Sequence, residues 1–464
     1  MEKTSKIAIL GFGIEGRAIA KYLHKHGYEN LTICDERQEI KDLPEHANVQ
    51  LGKAAFFGLP NFDIIFRSPG IALHRPELQS AHSAGTTFTS VTKFFFEKCP
   101  CPIIGVSGTK GKGTTTALTH QILKTAGKDV HIGGNIGEAP TDFLDDLTPE
   151  SLVVLELSSF QLEDLDKSPH ISIVLNITRD HLDYHKNVKE YRAAKQALLA
   201  HQTEEDIAII NQDYEGSRAF GELGQGKKHW YSRQGESSKA DAYVSSPDGA
   251  KPDSTNSADL MVLGEKIATT QDVRLRGTHN HENVLPACLA AKLLGVANET
   301  ILKTLHEFQG LPHRLELVAE QNGVQYFNDS FSTTPETSMA AIRSFDEPLF
   351  LLAGGSEKHS DFTAWAKACA TSTNLKKVLL MGATARRMEA ALQDEHAALA
   401  APTIKRKIPL DIVRVKNLQD AFTYLSSQTK SGDIVLLSPA CASFGLFVNY
   451  KERGRIFREL AEGA

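Results

Sequence analysis

Residues 104–116 read IGVSGTKGKGTTT. Pro102 to Val106 is a short apolar run suited to a buried strand. Gly108, Gly111 and Gly113 crowd around Lys112, and a threonine-rich, helix-compatible segment follows. Strand, glycine loop with lysine, helix is the order that turns backbone N–H groups and a helix N-terminus towards phosphate. The Lys112 ammonium then meets the outer phosphates as a point charge. The spacing departs from a standard P-loop. Only two residues separate Gly108 from Gly111, and Gly113 stands where a Ser or Thr hydroxyl ordinarily binds magnesium. Thr114, Thr115 or water is expected to replace that hydroxyl. The bland competitor is a glycine turn with a solvated lysine.

The totals bound the rest. A chain of 464 residues suggests two to four domains. It is 41% hydrophobic and 23% charged, as an ordinary globular protein is. A net charge of −6 favours neither nucleic acid nor an anionic membrane, so an anionic substrate needs local positive sites. Six cysteines make no disulfide framework, and Cys99 and Cys101 read as reduced linker residues around Pro100. The opening MEKTSKIAILGFG has too short an apolar run for a signal peptide, and no run approaches the length of a membrane helix. A cytoplasmic protein is expected.

Three sections emerge. In residues 1–97, Lys6–Leu10 reads as a strand, GFGIEG (11–16) opens a helix to about His26, and Leu31–Cys34 is a second strand ending at Asp35. This is a βαβ opening. Asp63–Phe66 is a further strand, closed by the turn Ser68-Pro69-Gly70. In residues 98–309, strands are expected at 102–106, 152–157, 171–177 and 206–210. Their continuous apolar runs suit a parallel sheet covered on both faces. Residues 232–259, rich in Ser, Asp, Gly and Lys, read as surface loops or short hairpins. In residues 310–464, strands at 325–328, 349–353, 378–381 and 434–437 each end in small or polar residues, where ligands of open α/β sheets lie.

Other residues carry chemistry. GFGIEG with Asp35 nineteen residues after Gly16 fits a dinucleotide fingerprint. Asp35 would accept from a ribose hydroxyl or a base, and Arg37 would pair with phosphate. Glu156 interrupts the buried strand in SLVVLELSSFQL (151–162), and a buried carboxylate needs a partner such as a metal ion or a cationic side chain. His181, in NITRDHLDYH, is a candidate metal ligand or phosphate contact. Lys195, in the helical YRAAKQALL, reads from chemistry alone as a solvated lysine. Asn280, His313 and Arg314 sit in polar clusters that could meet a nucleotide.

In order along nearly the whole chain stand GFGIEG, SPG (68–70), GTKGKGTT, GGNIG (133–137), LELSSFQL, Asp180-His181, YRAAK, HNHEN (279–283), GLPHR, NDS (328–330) and LLSPACASFG (436–445). Together they resemble the Mur ligase family, in its D-glutamate-adding, MurD-type branch. The resemblance implies an α/β fold of three domains. These are an N-terminal Rossmann-like UDP-substrate domain (1–97), a central P-loop-type ATPase domain with a mostly parallel sheet (98–309), and a C-terminal Rossmann-like amino-acid domain (310–464).

It also implies roles. Ile14, Glu15, Asp35, Glu36 and Arg37 would line the uracil and ribose pocket, Ser68, Pro69 and Gly70 would meet the diphosphate, and Asn135 the sugar-linked part. Gly108, Thr109, Lys110, Gly111, Lys112, Gly113 and Thr114, with Asn280, Arg314 and Asp329, would bind ATP. Two Mg2+ ions would be held by Glu156, His181, Thr114 and Lys195, the last carbamylated by CO2. Catalysis would rest on Lys112, Glu156, His181 and Lys195. Thr333, Lys358, Ser443, Phe444 and Tyr450 would present D-glutamate. The partners implied are UDP-N-acetylmuramoyl-L-alanine and D-glutamate, with no nucleic acid, no membrane and a monomeric chain. Phe331 departs from the branch, standing where a lysine is common. Phe444 and Tyr450 are variants of apolar positions. The rivals are a Mur-family or folylpolyglutamate-type ligase for another amino acid, an NAD-dependent oxidoreductase using GFGIEG, and a non-catalytic nucleotide-binding regulator.

Overall fold

The computed structural model describes residues 1–178, 184–235, 240–245, 257–357, 359–399 and 410–464. Their strands form three sheets. The first comprises β1 (Ile7–Leu10), β2 (Leu31–Asp35), β3 (Asn48–Leu51), β4 (Ile64–Arg67) and β5 (Thr87–Ser90), in the order β3-β2-β1-β4-β5 and all parallel. β1 and β2 are buried along their whole length, and β1 reads as an unbroken apolar run. Strand order reverses between β1 and β4, so their carboxyl ends form the switch-point crevice. GFGIEG leaves one and Ser68-Pro69-Gly70 leaves the other. Gly16 must be glycine, because a Cβ there would lie 2.0 Å from the Gly11 carbonyl oxygen.

The second sheet comprises β6 (Ile103–Ser107), β7 (Val130–Gly134), β8 (Leu152–Glu156), β9 (Ile171–Val174), β10 (Ile207–Asn211), β11 (Lys227–Ser232), β12 (Ala240–Ser245), β13 (Asp259–Val262) and β14 (Glu265–Thr269). Its order is β14-β13-β12-β11-β10-β9-β6-β8-β7. Pairing is parallel from β7 to β12 and antiparallel at the β12–β13–β14 edge. The polar stretch 232–259 therefore holds more than loops. Ala242 and Val244 are fully buried at alternate positions of β12, enough to extend the parallel sheet.

The third sheet comprises β15 (Glu316–Gln321), β16 (Val324–Asn328), β17 (Leu349–Gly355), β18 (Leu375–Gly382), β19 (Asp411–Arg414) and β20 (Ile434–Leu437), in the order β15-β16-β20-β17-β18-β19. Only the β15–β16 pair is antiparallel. Apolar clusters cover both faces, one around Trp365 and Leu351, the other around Phe422 and Phe457. Each such buried side chain contributes ~1.5–3 kcal/mol of transfer free energy.

The chain divides into two compact units, Met1–Asp272 with His281–His306, and Val273–Asn280 with Glu307–Ala464. The first holds the first two sheets and the second holds the third. Among the described residues no helix is long and apolar enough to cross a membrane.

Candidate active site

Four neighbouring strands, β9, β6, β8 and β7, end at one edge of the second sheet, and each delivers a polar group there. β6 runs into the loop Gly108–Gly111. β8 ends at Glu156, in register with Val106 of β6 and Gly134 of β7. Asn135 follows β7. Its backbone N–H donates to the Glu156 carbonyl and its Nδ2 to Glu156 Oε1, both at 2.9 Å. Asn176 follows β9 and holds the loop from the other side, with Thr109 N–H donating to its carbonyl (2.6 Å) and Lys110 N–H to its Oδ1 (2.9 Å). Glu156 is thus buried beside the loop with an amide partner.

The loop's glycines have identifiable causes. A Cβ on Gly108 would sit 2.6 Å from Leu175 Cβ. Gly111 has φ +87°, and a Cβ there would meet Asn283 Oδ1 at 2.0 Å. From Gly111 springs the helix Lys112–Thr125, whose first-turn N–H groups lack intrahelical acceptors and carry the helix's partial positive charge. Of the two threonines that could replace the P-loop hydroxyl, Thr115 donates its hydroxyl to the Asn283 carbonyl (3.2 Å).

Two lysines converge on the loop. Lys112 Nζ donates to the carbonyls of Gly108 (3.1 Å) and Thr109 (3.2 Å). Lys195 Nζ donates to Ser107 Oγ (3.1 Å) and to the same Gly108 carbonyl (3.2 Å), and lies 5.0 Å from the centre of the Tyr191 ring. Lys195 is 1% exposed. The solvated-lysine reading is therefore corrected: the helix Val188–Ala200 buries Tyr191, Lys195, Leu198 and Leu199 on one face, and the lysine lies on it at i+4 from Tyr191.

At the switch point of the first sheet, Ser68 Oγ donates to the Gly11 carbonyl (2.8 Å), joining the two loops. Asp35 accepts from Phe12 N–H (2.8 Å) and from Arg37 Nε and Nη2 (2.9 and 2.8 Å), and these bonds, Arg37's first, hold its carboxyl at about 2. Arg37 thus pairs with Asp35. Glu36 pairs with Arg75, and Ile14 is exposed. Burial pushes Glu15 up to about 7, against the lowering effect of Gln161, whose Nε2 donates to Glu15 Oε1 at 2.7 Å. Gln161 in turn accepts from Ser158 N–H (2.9 Å), so LSSFQL is a capped turn aimed at the first sheet. Arg67, at the end of β4, donates to the carbonyls of Ile71 (2.8 Å) and Phe160 (3.2 Å) and lies 3.3 Å from Asp164. It folds the turn that contains Pro69 and Gly70 and ties it to LSSFQL.

The second unit carries its own polar cluster. Asp329, after β16, accepts from Ser438 Oγ (2.8 Å) and Leu315 N–H (3.3 Å), and burial raises its carboxyl to about 6. Arg314 lies between His313 and Leu315, both at positive φ (65° and 43°), a local strain that fixes where its side chain starts. Its guanidinium stacks on Phe331, 4.1 Å from the ring centre, and Phe331 meets Tyr450 edge-on at 5.1 Å. Phe331 is 40% exposed. Asn280 Nδ2 donates to the Arg276 carbonyl (2.7 Å). Thr333 N–H donates to the Phe331 carbonyl (2.9 Å), Ser443 is buried and Phe444 is exposed. Arg453, fully buried, donates to Ser330 Oγ (3.0 Å) and to the carbonyls of Ser330 (2.9 Å) and Cys441 (3.2 Å), binding the 328–333 and 438–443 loops together. His181 and Lys358 lie outside the described residues.

The chain matches the Mur ligase MurD-like N-terminal domain over residues 5–90, the Mur ligase middle domain over 106–291 and the Mur ligase glutamate ligase domain over 313–441. It is 34% identical to the UDP-N-acetylmuramoylalanine--D-glutamate ligase of Acetivibrio thermocellus, over 99% of this chain and 96% of that one. It is also 34% identical to the enzyme of the same name from Symbiobacterium thermophilum, over 98% of each. The chain belongs to the Mur ligase family. The crystal structure of UDP-N-acetylmuramate-alanine ligase MurC from Thermotoga maritima shares the fold at 17% identity, with a TM-score of 0.60 over 98% of both chains.

Within this Mur ligase the first unit brings together the loop 108–113, Glu156, Asn135 and Lys195, and separately Glu15, Asp35, Arg37 and Ser68. The second unit gathers Arg314, Asp329 and Tyr450. Sequence reasoning missed the supports. Ser107, Asn176 and Tyr191 give no motif of their own. Arg67 did leave a trace, because a charge ending the apolar run Ile64–Phe66 is the same oddity that singled out Glu156.

Proposed function

We propose that the chain is an ATP-dependent ligase that joins D-glutamate to UDP-N-acetylmuramoyl-L-alanine, in the synthesis of peptidoglycan precursors. The observation that carries this reading is the gathering of the Gly108–Gly113 loop, Lys112, Glu156, Asn135 and Lys195 at the carboxyl ends of four adjacent strands, in a chain whose full-length relatives are named for that reaction. The domain limits 1–97, 98–309 and 310–464 are part of the proposal, as is a monomer working in the cytoplasm.

The carboxylate of UDP-N-acetylmuramoyl-L-alanine attacks the γ-phosphorus of ATP, ADP leaves, and an acyl phosphate forms. The amine of D-glutamate attacks the acyl carbon, and phosphate departs with one former carboxylate oxygen. The first step brings two anions together, so positioning and charge neutralisation dominate. Lys112 and the helix N-terminus at Gly111 receive the phosphates. Asn135 orients Glu156, and Arg67 and Ser68 shape the turn that meets the UDP diphosphate. Neither step needs a protein nucleophile.

Magnesium fits these residues. It takes one or two carboxylates and completes its shell with phosphate oxygens and water. Glu156 and the Thr114 hydroxyl offer such a set. Among the described residues no group of three His, Cys, Asp or Glu forms a closed protein cage. When bound, magnesium supplies positive charge to the transferring phosphoryl group. His181 is proposed as a further ligand. Lys195 is proposed to carry CO2 as a carbamate; its burial against Ser107 and Gly108 supports that role.

One observation favours a second reading of the amino acid alone. Phe331 presents an exposed ring where this branch commonly has lysine, removing a positive charge near the group of Thr333 and Tyr450. The same ligase chemistry on a different amino acid would follow. Phosphate release from ATP with UDP-N-acetylmuramoyl-L-alanine, measured over a panel of amino acids with both enantiomers of glutamate, tests the two together. The proposal expects release with D-glutamate; release with another amino acid alone selects the second reading, and no release overturns both.

A further inference from the structure

Cys99-Pro100-Cys101-Pro102 takes no part in the chemistry above. The segment joins the helix Val91–Lys98 to β6. Its two sulfurs lie 3.6 Å apart, and Cys99 Sγ also donates to the Cys101 carbonyl at 3.5 Å. The pair is held from both sides: Cys99 N–H ends the helix by donating to the Phe95 carbonyl (2.8 Å), and the Pro100 ring fixes its own φ. Cys101 is 4% exposed and sits in the core with Phe95 and Ile103, with Cys99 packed against that core. Cys34, Cys288, Cys369 and Cys441 are all buried. Cys99 is thus the one thiol of six with appreciable access to solvent, and its neighbour is another thiol.

The spacing is that of two sulfurs on one soft atom. Two sulfurs bound ~2.3 Å from one pyramidal trivalent centre, with the bonds roughly 100° apart, lie about 3.5 Å apart. A disulfide requires about 2.05 Å and forms by thiolate attack. Burial raises the Cys99 thiol and pushes Cys101 up to about 12, so both hold their protons at neutral pH, which disfavours exchange. Among the described residues no third His, Cys, Asp or Glu completes a metal-binding group here. Zinc would find two of its usual four protein ligands; a centre that already carries one organic substituent and needs two sulfurs would find both.

We propose that Cys99 and Cys101 form a dithiol site for a thiophilic trivalent centre of the class R–As(OH)2. Two S–H and two As–OH bonds are exchanged for two As–S bonds and two molecules of water, with no change of oxidation state. Cys99 forms the first bond because it is the accessible one. Cys101 then closes the ring as an intramolecular step at high effective concentration.

Equimolar phenylarsine oxide is added to the native full-length chain, followed by intact-mass measurement. One phenylarsenic per chain with two protons lost is expected, removed by 2,3-dimercaptopropanol and retained in excess mercaptoethanol. Cys99→Ser should abolish mercaptoethanol-resistant uptake, while Cys34→Ser should leave it unchanged. Cys101→Ser should give at most an adduct that mercaptoethanol strips. Because Cys101 is buried, thermal melting checks that variant, and Cys99→Ala stands in if it fails to fold. Unchanged uptake by Cys99→Ser, or no uptake by the native chain where the urea-unfolded chain takes the reagent, overturns the proposal. Ligase activity is not read, so the outcome is independent of the proposed reaction.

Discussion

Lys112 and Lys195, from different helices, donate to a single oxygen, the carbonyl of Gly108, at 3.1 and 3.2 Å. The proposed carbamate on Lys195 would leave Lys112 as the positive group at this carbonyl. Lys195→Ala is expected to lower kcat by ~100-fold or more, the scale of losing one electrostatic stabiliser. Short carboxylic acids should restore part of the rate, and the native enzyme should lose rate when bicarbonate is removed. Near-native turnover by Lys195→Ala would remove carbamylation from the account.

Glu156 has an amide partner, Asn135. Glu156→Gln keeps the shape and removes the charge. It should raise the magnesium concentration needed for half-maximal rate and lower kcat by ~100-fold or more. Asn135→Ala, which only releases the carboxylate, should act less strongly. Magnesium titrations of steady-state rate compare the two. An unchanged magnesium dependence in Glu156→Gln contradicts the assignment.

What the sequence made legible follows from periodicity and punctuation. The unbroken apolar runs of β1, β6, β8 and β20 announced buried parallel strands, and glycine clusters marked the loops after β1 and β6. β3, with its half-exposed Asn48–Leu51, and β12, with two buried positions in a polar stretch, carried too few apolar residues to stand out. The candidate site was legible where residue type and spacing coincide, as at Lys112 and Glu156, which the fold brings to the same sheet edge. Lys195 was not, because burial is a property of the partner surface: nothing in YRAAK says that Ser107 and Gly108 lie above it. Phe331 was visible as a departure, but its stack with Arg314 joins residues far apart in sequence.

Glu15 should make stability fall as pH rises. Its folded value of about 7 lies above the usual carboxylate value near 4.5, because burial penalises the charged form. Below about 4.5 both states hold the proton and nothing is lost. Between about 4.5 and 7 the unfolded chain ionises first, and above 7 the folded chain bears the full cost. Glu15→Gln removes it. The variant should melt higher than the native chain at pH 8, with the gap closing towards pH 5. Melting curves across that range decide, and a gap that widens on acidification rejects a cost from burying this carboxyl.

Phe331→Ala removes the surface on which Arg314 rests. With Arg314 proposed to contact ATP, as the family resemblance implies, and a stack of this kind contributing ~0.5–1 kcal/mol, the KM for ATP is expected to rise about two- to fivefold with kcat nearly unchanged. Phe331→Lys should raise KM for ATP as well, through charge repulsion with Arg314, and should shift preference among amino acids if the ring faces their pocket. Equal kinetics in all three proteins would mean that the stack is idle.

The acyl phosphate itself can be tracked. With UDP-N-acetylmuramoyl-L-alanine labelled by 18O in its free carboxylate, ATP and the amino acid that supports turnover, the released phosphate is analysed by mass spectrometry. The account predicts one 18O in each phosphate, carried from the carboxylate, with the other left in the new amide. Phosphate released without label during amide formation would contradict it.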